Sequence, residues 1–183
     1  MCKDLYEPLI EKESEELQAR MSRLTSEYAS RGFALPPGAI YADIGKCYKD
    51  TLPVRAQIVF DSCCKVYKGS IKKPRTEVFT KEITEAIQFE QERILTLGKR
   101  NYEHCNNQFE MPSYNIILER YSADIFAEGR RQTRYYSSKA QVFLGNLTAS
   151  MRVDNPLDLT PNFFGIGIDL KKIIPWFKMK FRK

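Results

Sequence analysis

The residues best suited to chemistry in this sequence are its one histidine and its five cysteines. His104 is followed directly by Cys105, and a nucleophile–base pair or a metal site would use these residue types. Neighbouring residues on a helix point in different directions, and a catalytic pair also needs a third group that orients the base. A zinc site needs about four ligands. We therefore expect a solvated histidine rather than a catalytic or metal-binding pair.

Three other patterns resemble chemical motifs but lack a required part. Cys63 and Cys64 are adjacent, without the two-residue spacing of a redox-active pair. Gly165 and Gly167 lack the third glycine and the preceding strand of a phosphate-binding loop. One helical stretch is rich in glutamates but lacks the Glu-x-x-His motif of a di-iron bundle, and we expect these glutamates on a solvated face. They are Glu82, Glu85, Glu90 and Glu92. We predict no enzyme, no cofactor and no metal.

The net charge of +6 arises entirely at the C-terminus. Six basic and no acidic residues lie in 171–183, and the remaining chain is balanced at 23 of each sign. Nucleic-acid-binding proteins usually spread basic charge over a face, which this distribution does not indicate. The odd number of cysteines and the absence of a recognisable secretory signal favour reduced thiols in a cytosolic compartment. No apolar run approaches the roughly 18 residues of a transmembrane helix.

Apolar spacing predicts a mainly α fold, beginning with a helix over 8–31. Its apolar residues are spaced by seven, four, three and four, the narrow stripe of a coiled coil. They are Ile10, Leu17, Met21, Leu24 and Tyr28. Gly32 ends this helix, and two prolines and two apolar residues in 32–38 predict a chain-reversing turn.

Further helices are predicted over 39–147. A short helix over 39–49 precedes a second one that begins near Pro53, because Asp50 and Thr51 resemble an N-terminal cap. Its expected buried face is Val54, Ile58, Val59, Cys63 and Val66. The longest helix covers about 76–105, with an apolar face of Phe79, Ile83, Ile87, Ile94 and Leu97. The last begins near residue 113 and extends to 136 or 147, with Gly129 as a candidate kink.

The pattern changes after residue 150, where prolines and glycines indicate loops. Three apolar residues near the C-terminus alternate with cations at the period of a strand. They are Phe177, Met179 and Phe181, preceded by Trp176. We expect this segment to dock on a partner protein; a final strand of the chain's own fold and contact with an anionic membrane are the alternatives. The chain thus divides into a helical region, 1–150, forming an antiparallel bundle or hairpin of long helices, and a β-like basic tail, 151–183.

A cluster of arginines in the last helix suggests contact with nucleic acid. Arg130, Arg131 and Arg134 precede Tyr135 and Tyr136, combining cations for phosphates with rings for base stacking. The same residue pattern also occurs in a helix that exposes its arginines, packs its tyrosines into the core and binds no ligand. Nucleic-acid binding through these arginines and the basic C-terminus is therefore the alternative function.

The segment Leu17 to Gly38 ends in Gly-Phe-Ala-Leu-Pro-Pro-Gly, and the helix around 79–90 follows it. These residues resemble the long-helix, tail-associated virion proteins of tailed bacteriophages, in which a charged helix leads into a Gly-Phe-x-Leu-Pro-Pro-Gly turn. The likeness covers roughly residues 5–145. The group's helices tend to continue much further, whereas a basic tail rich in proline and glycine follows here.

This resemblance implies a structural component of a phage particle, in the tail or connector, without catalytic residues. It would occur in the host cytoplasm during assembly and then in the virion. Its partners would be further copies of the chain and other virion proteins. The expected oligomer interface is Leu17, Met21, Leu24, Tyr28, Phe33 and Leu35.

Overall fold

A computed structural model describes residues 2–31, 38–68, 75–109 and 113–153 and two short strand segments. Four helices account for nearly all of these residues: α1 (Lys3–Arg31), α2 (Ala39–Lys68), α3 (Thr76–Phe109) and α4 (Tyr114–Val153). The predicted mainly α fold is confirmed. No helix among the described residues is long and apolar enough to cross a membrane.

The chain consists of two compact units, 1–141 and 142–183. The second contains the end of α4 and two antiparallel strands, β1 (Pro161–Asn162) and β2 (Gly165–Ile166), with Asn162 opposite Gly165. The strand predicted around Phe177 lies outside the described residues.

Side-chain pairs establish how the four helices run within the first unit. Tyr28 donates to Asp43 and Arg55 to Ser14, so α1 and α2 are antiparallel. The α3 helix runs back along α2, since Arg55 also meets Glu90 and Tyr67 donates to Glu82. The α4 helix runs back along α3, since Thr84 meets Ser137 and Tyr121 meets Ile94. Consecutive helices are thus antiparallel, as in an up-down-up-down bundle.

Helix α4 packs against α2 and α3. The Tyr121 hydroxyl donates to the carbonyl of Ile94 on α3 at 2.8 Å. The ring of Tyr136 lies 5.0 Å from that of Phe60 on α2. The α1 helix lies on the other side of α2 and α3, where Glu7 meets Arg93. Helix α2 therefore contacts all three other helices, and this explains why it has twelve buried residues.

The prediction of two helices in 39–68 was wrong, because α2 continues through Pro53. An internal proline costs roughly 3 kcal/mol through a lost hydrogen bond and a steric clash. Leu52, Ala56 and Val59 are fully buried around it, and burial of a leucine or valine side chain contributes about 1.5–3 kcal/mol. Packing therefore outweighs the local penalty. Val54, predicted to be buried, is 46% exposed.

The other predicted boundaries are close to those of the structure. Helix α1 begins at Lys3 rather than residue 8, because Cys2 and Tyr6 are buried and stabilise its first turn. The predicted face of α3 is buried except at Leu97, which is 38% exposed. Helix α4 extends past 147 without a break at Gly129.

Candidate interaction sites

The feature of the core that sequence reasoning missed is a buried ion network across three helices. Arg55 of α2 is fully buried and donates to Glu13 of α1 at 2.8 Å and to Glu90 of α3 at 2.9 Å. Each glutamate has a second, more exposed partner, Arg20 for Glu13 and Arg93 for Glu90. The charges satisfy one another, so the network fixes the register of α1, α2 and α3 rather than offering a free acid or base.

Glu90 is fully buried, which corrects the prediction of a solvated face there. The sequence does carry a signal for the network. The seven-residue gap between Ile10 and Leu17 contains Glu13 and Ser14, and both bind Arg55. A charged residue at the missing position of an apolar stripe could have been interpreted as a buried partner.

The predicted oligomer interface on α1 faces the chain's own core. Leu17 and Met21 are 4% and 8% exposed and belong to the apolar cluster between the helices, with Leu24 packed against it. Tyr28 donates to Asp43 of the same chain at 2.6 Å. Phe33 and Leu35 lie outside the described residues. Association through Leu17 or Met21 would thus require this core to open.

An apolar strip does lie exposed on the outside of α1 and α2. Leu5 and Leu9 are 49% and 45% exposed, and Val54 is 46% exposed. The Arg55–Ser14 contact sets the register of the antiparallel helices α1 and α2. With a rise of about 1.5 Å per residue, Leu9 lies near the level of Ile58 along the helix axes, and Ile58 is half-buried. We call Leu5, Leu9, Val54 and Ile58 the α1/α2 strip.

The three predicted arginines lie on the exposed surface of α4. Arg130 and Arg134 are exposed and have no ion-pair partner within the described part of the chain. Arg131 pairs with Glu128 at 2.7 Å but keeps a side chain that is 70% exposed. The ring of Tyr135 is 50% exposed, and the Lys139 ammonium lies 4.7 Å from its centroid. This surface presents cations and one accessible ring, whereas Tyr136 is buried.

The thiols are poorly suited to nucleophilic chemistry. Burial raises the pKa of Cys2 and that of Cys64 to about 11, and burial also raises the pKa of Cys105. These groups are protonated at neutral pH, whereas the thiolate is the reactive form. His104, beside Cys105, is exposed. Within the described ranges no group of three or more His, Cys, Asp or Glu side chains could hold a metal ion.

Buried tyrosines fill the end of the bundle where α2 and α4 begin and α3 ends. Tyr41 and Tyr102 stack with ring centroids 5.7 Å apart, and Tyr102 lies 5.1 Å from Tyr121. Burial raises the pKa of Tyr41 and that of Tyr48 to about 12, so their hydroxyls stay protonated at neutral pH. The geometry defines a helical bundle, and its exposed surfaces are candidate interaction sites. Neither a protein-family model, nor a curated protein, nor a solved structure matches the chain.

Proposed function

We propose that this chain is a non-catalytic structural component of a tailed-bacteriophage particle, in the tail or connector, that assembles through helix-mediated contacts. The α1/α2 strip is the observation that carries the assembly part of this proposal. Three of its four side chains are at least 45% exposed, whereas Leu17, Leu52 and Val59 of the same two helices are buried in the core. The phage context is supported by the resemblance around Gly32–Gly38. The expected partners are further copies of the chain and other particle proteins.

Exposed apolar side chains that lie together favour burial against another protein. Each Å² of apolar surface removed from water contributes about 25 cal/mol to the free energy of association. Such a contact is little affected by salt, since apolar burial is not screened. Leu17 is unsuitable for testing it, because a charge there would disrupt the core of the monomer. Exposed members of the strip can be changed without that consequence.

The test compares the mass in solution of the wild-type chain, Leu9→Glu/Val54→Glu and a matched control, Ile116→Glu. Ile116 is 66% exposed on α4, away from the strip. We expect the wild type and the control to form a salt-resistant oligomer by light scattering, and the strip variant to be a folded monomer. A wild-type monomer at every concentration, or a strip variant of unchanged mass, would contradict assembly through this strip.

A second candidate function, nucleic-acid binding, is favoured by the unpaired arginines of the α4 surface. Arg130 and Arg134 project from a helix whose neighbouring exposed residues include few acids, and Tyr135 offers a ring for stacking. Binding through such contacts releases counterions and weakens steeply as salt is raised. The basic segment 171–183 could add to it.

Fluorescence anisotropy with a single-stranded oligonucleotide tests this candidate. Arg130→Gln/Arg134→Gln removes two phosphate contacts, so we expect the slope of log affinity against log salt to decrease by about 1.4. The control Arg23→Gln/Arg100→Gln removes the same charge from exposed positions on α1 and α3. Equal effects of both pairs would indicate only a net-charge effect, and no binding by the wild type would exclude the candidate.

A further inference from the structure

A cleft opens between α2 and α4 at the tyrosine-rich end of the bundle, apart from the α1/α2 strip and the α4 arginines discussed above. Its volume is about 190 Å³. Since each water occupies about 30 Å³ in the liquid, the cleft holds about six waters, enough for a small polar group. Its uncharged lining includes Tyr41, Tyr102 and Tyr121 together with Ala42, Gly45 and Ile117.

Two tyrosine hydroxyls in the floor of this cleft already donate to carbonyls of the chain. The Tyr102 hydroxyl donates to the Tyr41 carbonyl at 2.6 Å, and the Tyr121 hydroxyl donates to the Ile94 carbonyl at 2.8 Å. A Cβ at Gly45 would lie only 2.7 Å from the Tyr102 oxygen, so glycine allows this close approach. The Tyr102 and Tyr121 hydroxyls are therefore engaged within the chain, and the charged contacts to a ligand would come from the rim.

The rim carries an excess of positive charge. Lys46, Lys49 and Arg120 line the cleft with a single acid, Asp124. None of the three cations forms an ion pair with any described residue, whereas Arg131 further along α4 pairs with Glu128. Three cations against one carboxylate leave an excess of positive charge around the cleft, and a bound anion would offset that excess.

We infer that this cleft binds the phosphate group of a small phosphate monoester, with Lys46, Lys49 and Arg120 as its ligands. Three cations and one carboxylate give the lining a net charge of about +2, which matches the charge of about −1.5 to −2 on a monoester at pH 7. Arginine binds two phosphate oxygens at once, and lysine acts as a point charge. The volume suits a phosphate and a few further atoms.

Calorimetric titration of the full chain with glycerol 3-phosphate and with inorganic phosphate, at constant ionic strength, tests this inference. We expect saturable binding at one site, with a tighter Kd at pH 7.5 than at pH 5.5, because the second pKa of the phosphate is about 6. In the variant Lys49→Gln/Arg120→Gln, the phosphate loses one charged hydrogen bond at each changed residue. We expect each loss to raise the Kd for the phosphate about tenfold. The control Lys12→Gln/Arg23→Gln removes the same charge from exposed positions on α1 and should bind normally.

A second variant, Ala42→Leu, separates the cleft from the charge around it. Ala42 is exposed on α2 and leucine favours helices, so the fold should persist while the larger side chain occupies the cleft. We expect loss of glycerol 3-phosphate binding with little change in oligonucleotide binding. The inference is overturned if no saturable phosphate binding occurs, if both charge pairs weaken it equally, or if Ala42→Leu binds normally. Binding of the oligonucleotide alone would also overturn it. None of these outcomes depends on the assembly state.

Discussion

Replacing Arg55 with methionine should destabilise the bundle by about 3 kcal/mol at pH 7. Removing one partner of a buried ion pair typically costs about 3–5 kcal/mol, because it leaves a buried charge uncompensated. Here Glu13 and Glu90 would both lose Arg55, but each keeps one further partner, Arg20 or Arg93. These two arginines are 42% and 32% exposed and compensate only in part, so the low end of the range applies.

The loss should depend on pH with a definite sign. Without Arg55, Glu13 and Glu90 stay buried without their main counter-charge, and an ionised carboxylate in that position is costly. Protonation in acid removes this buried charge and with it part of the cost. The Arg55→Met penalty should therefore be smaller near pH 4 than at pH 7.

Urea denaturation followed by circular dichroism at 222 nm measures both effects. The control is Glu13→Met/Arg55→Met/Glu90→Met, which replaces the whole triad by apolar side chains. Its free energy of unfolding should be no more than about 1 kcal/mol below that of the wild type, or above it. If Arg55→Met costs under about 1 kcal/mol and shows no dependence on pH, Arg55 does not compensate buried charge and the reasoning is wrong.

Three further perturbations follow from the packing. Gly98→Ala should lower the free energy of unfolding by about 1–3 kcal/mol in urea denaturation, because the added Cβ would overlap the Tyr121 ring and hydroxyl. The control Gly145→Ala should not destabilise the chain, because a Cβ there would meet no atom within 4 Å apart from its own helix backbone. Burial raises the pKa of Tyr48 from 10.0 to about 12. The stability that this shift contributes is therefore present below pH 10 and is lost as pH rises toward 12. Absorbance at 295 nm should show the ionisation of Tyr48 only together with unfolding. Cys64, with its pKa raised to about 11, should react with Ellman's reagent at pH 8 much more slowly in the native than in the urea-unfolded chain; equal rates would contradict its burial.

The helices and most of their apolar faces could be predicted from the sequence because both depend on local spacing. Ile83, Ile87 and Ile94 recur near the helical period, and all three are fully buried. Pro53 misled the prediction, because its local cost is visible in sequence while the packing that offsets it is contributed by α1, α3 and α4. Tertiary contacts therefore decided that α2 continues through Pro53.

The candidate sites depend on which residues from distant segments meet, and that information is weak in a single sequence. Glu90 carries the same local pattern as the exposed Glu92, yet only Glu90 faces Arg55. The cleft brings Lys46 and Lys49 to Arg120 from more than 70 residues away. The α1 stripe was correctly identified as apolar, but spacing alone does not distinguish a stripe that faces the chain's own core from one that faces another copy.

The ion network also bears on the order in which the chain can fold during synthesis. When α1 and α2 have left the ribosome, Arg55 can meet Glu13 and Ser14, but Glu90 has not yet been added. A hairpin of these two helices leaves the guanidinium without its third partner and without the cover of α3, so water must continue to solvate it. Full burial of Arg55 therefore waits until residue 90 emerges, and the nascent N-terminal half should remain open to chaperones until then.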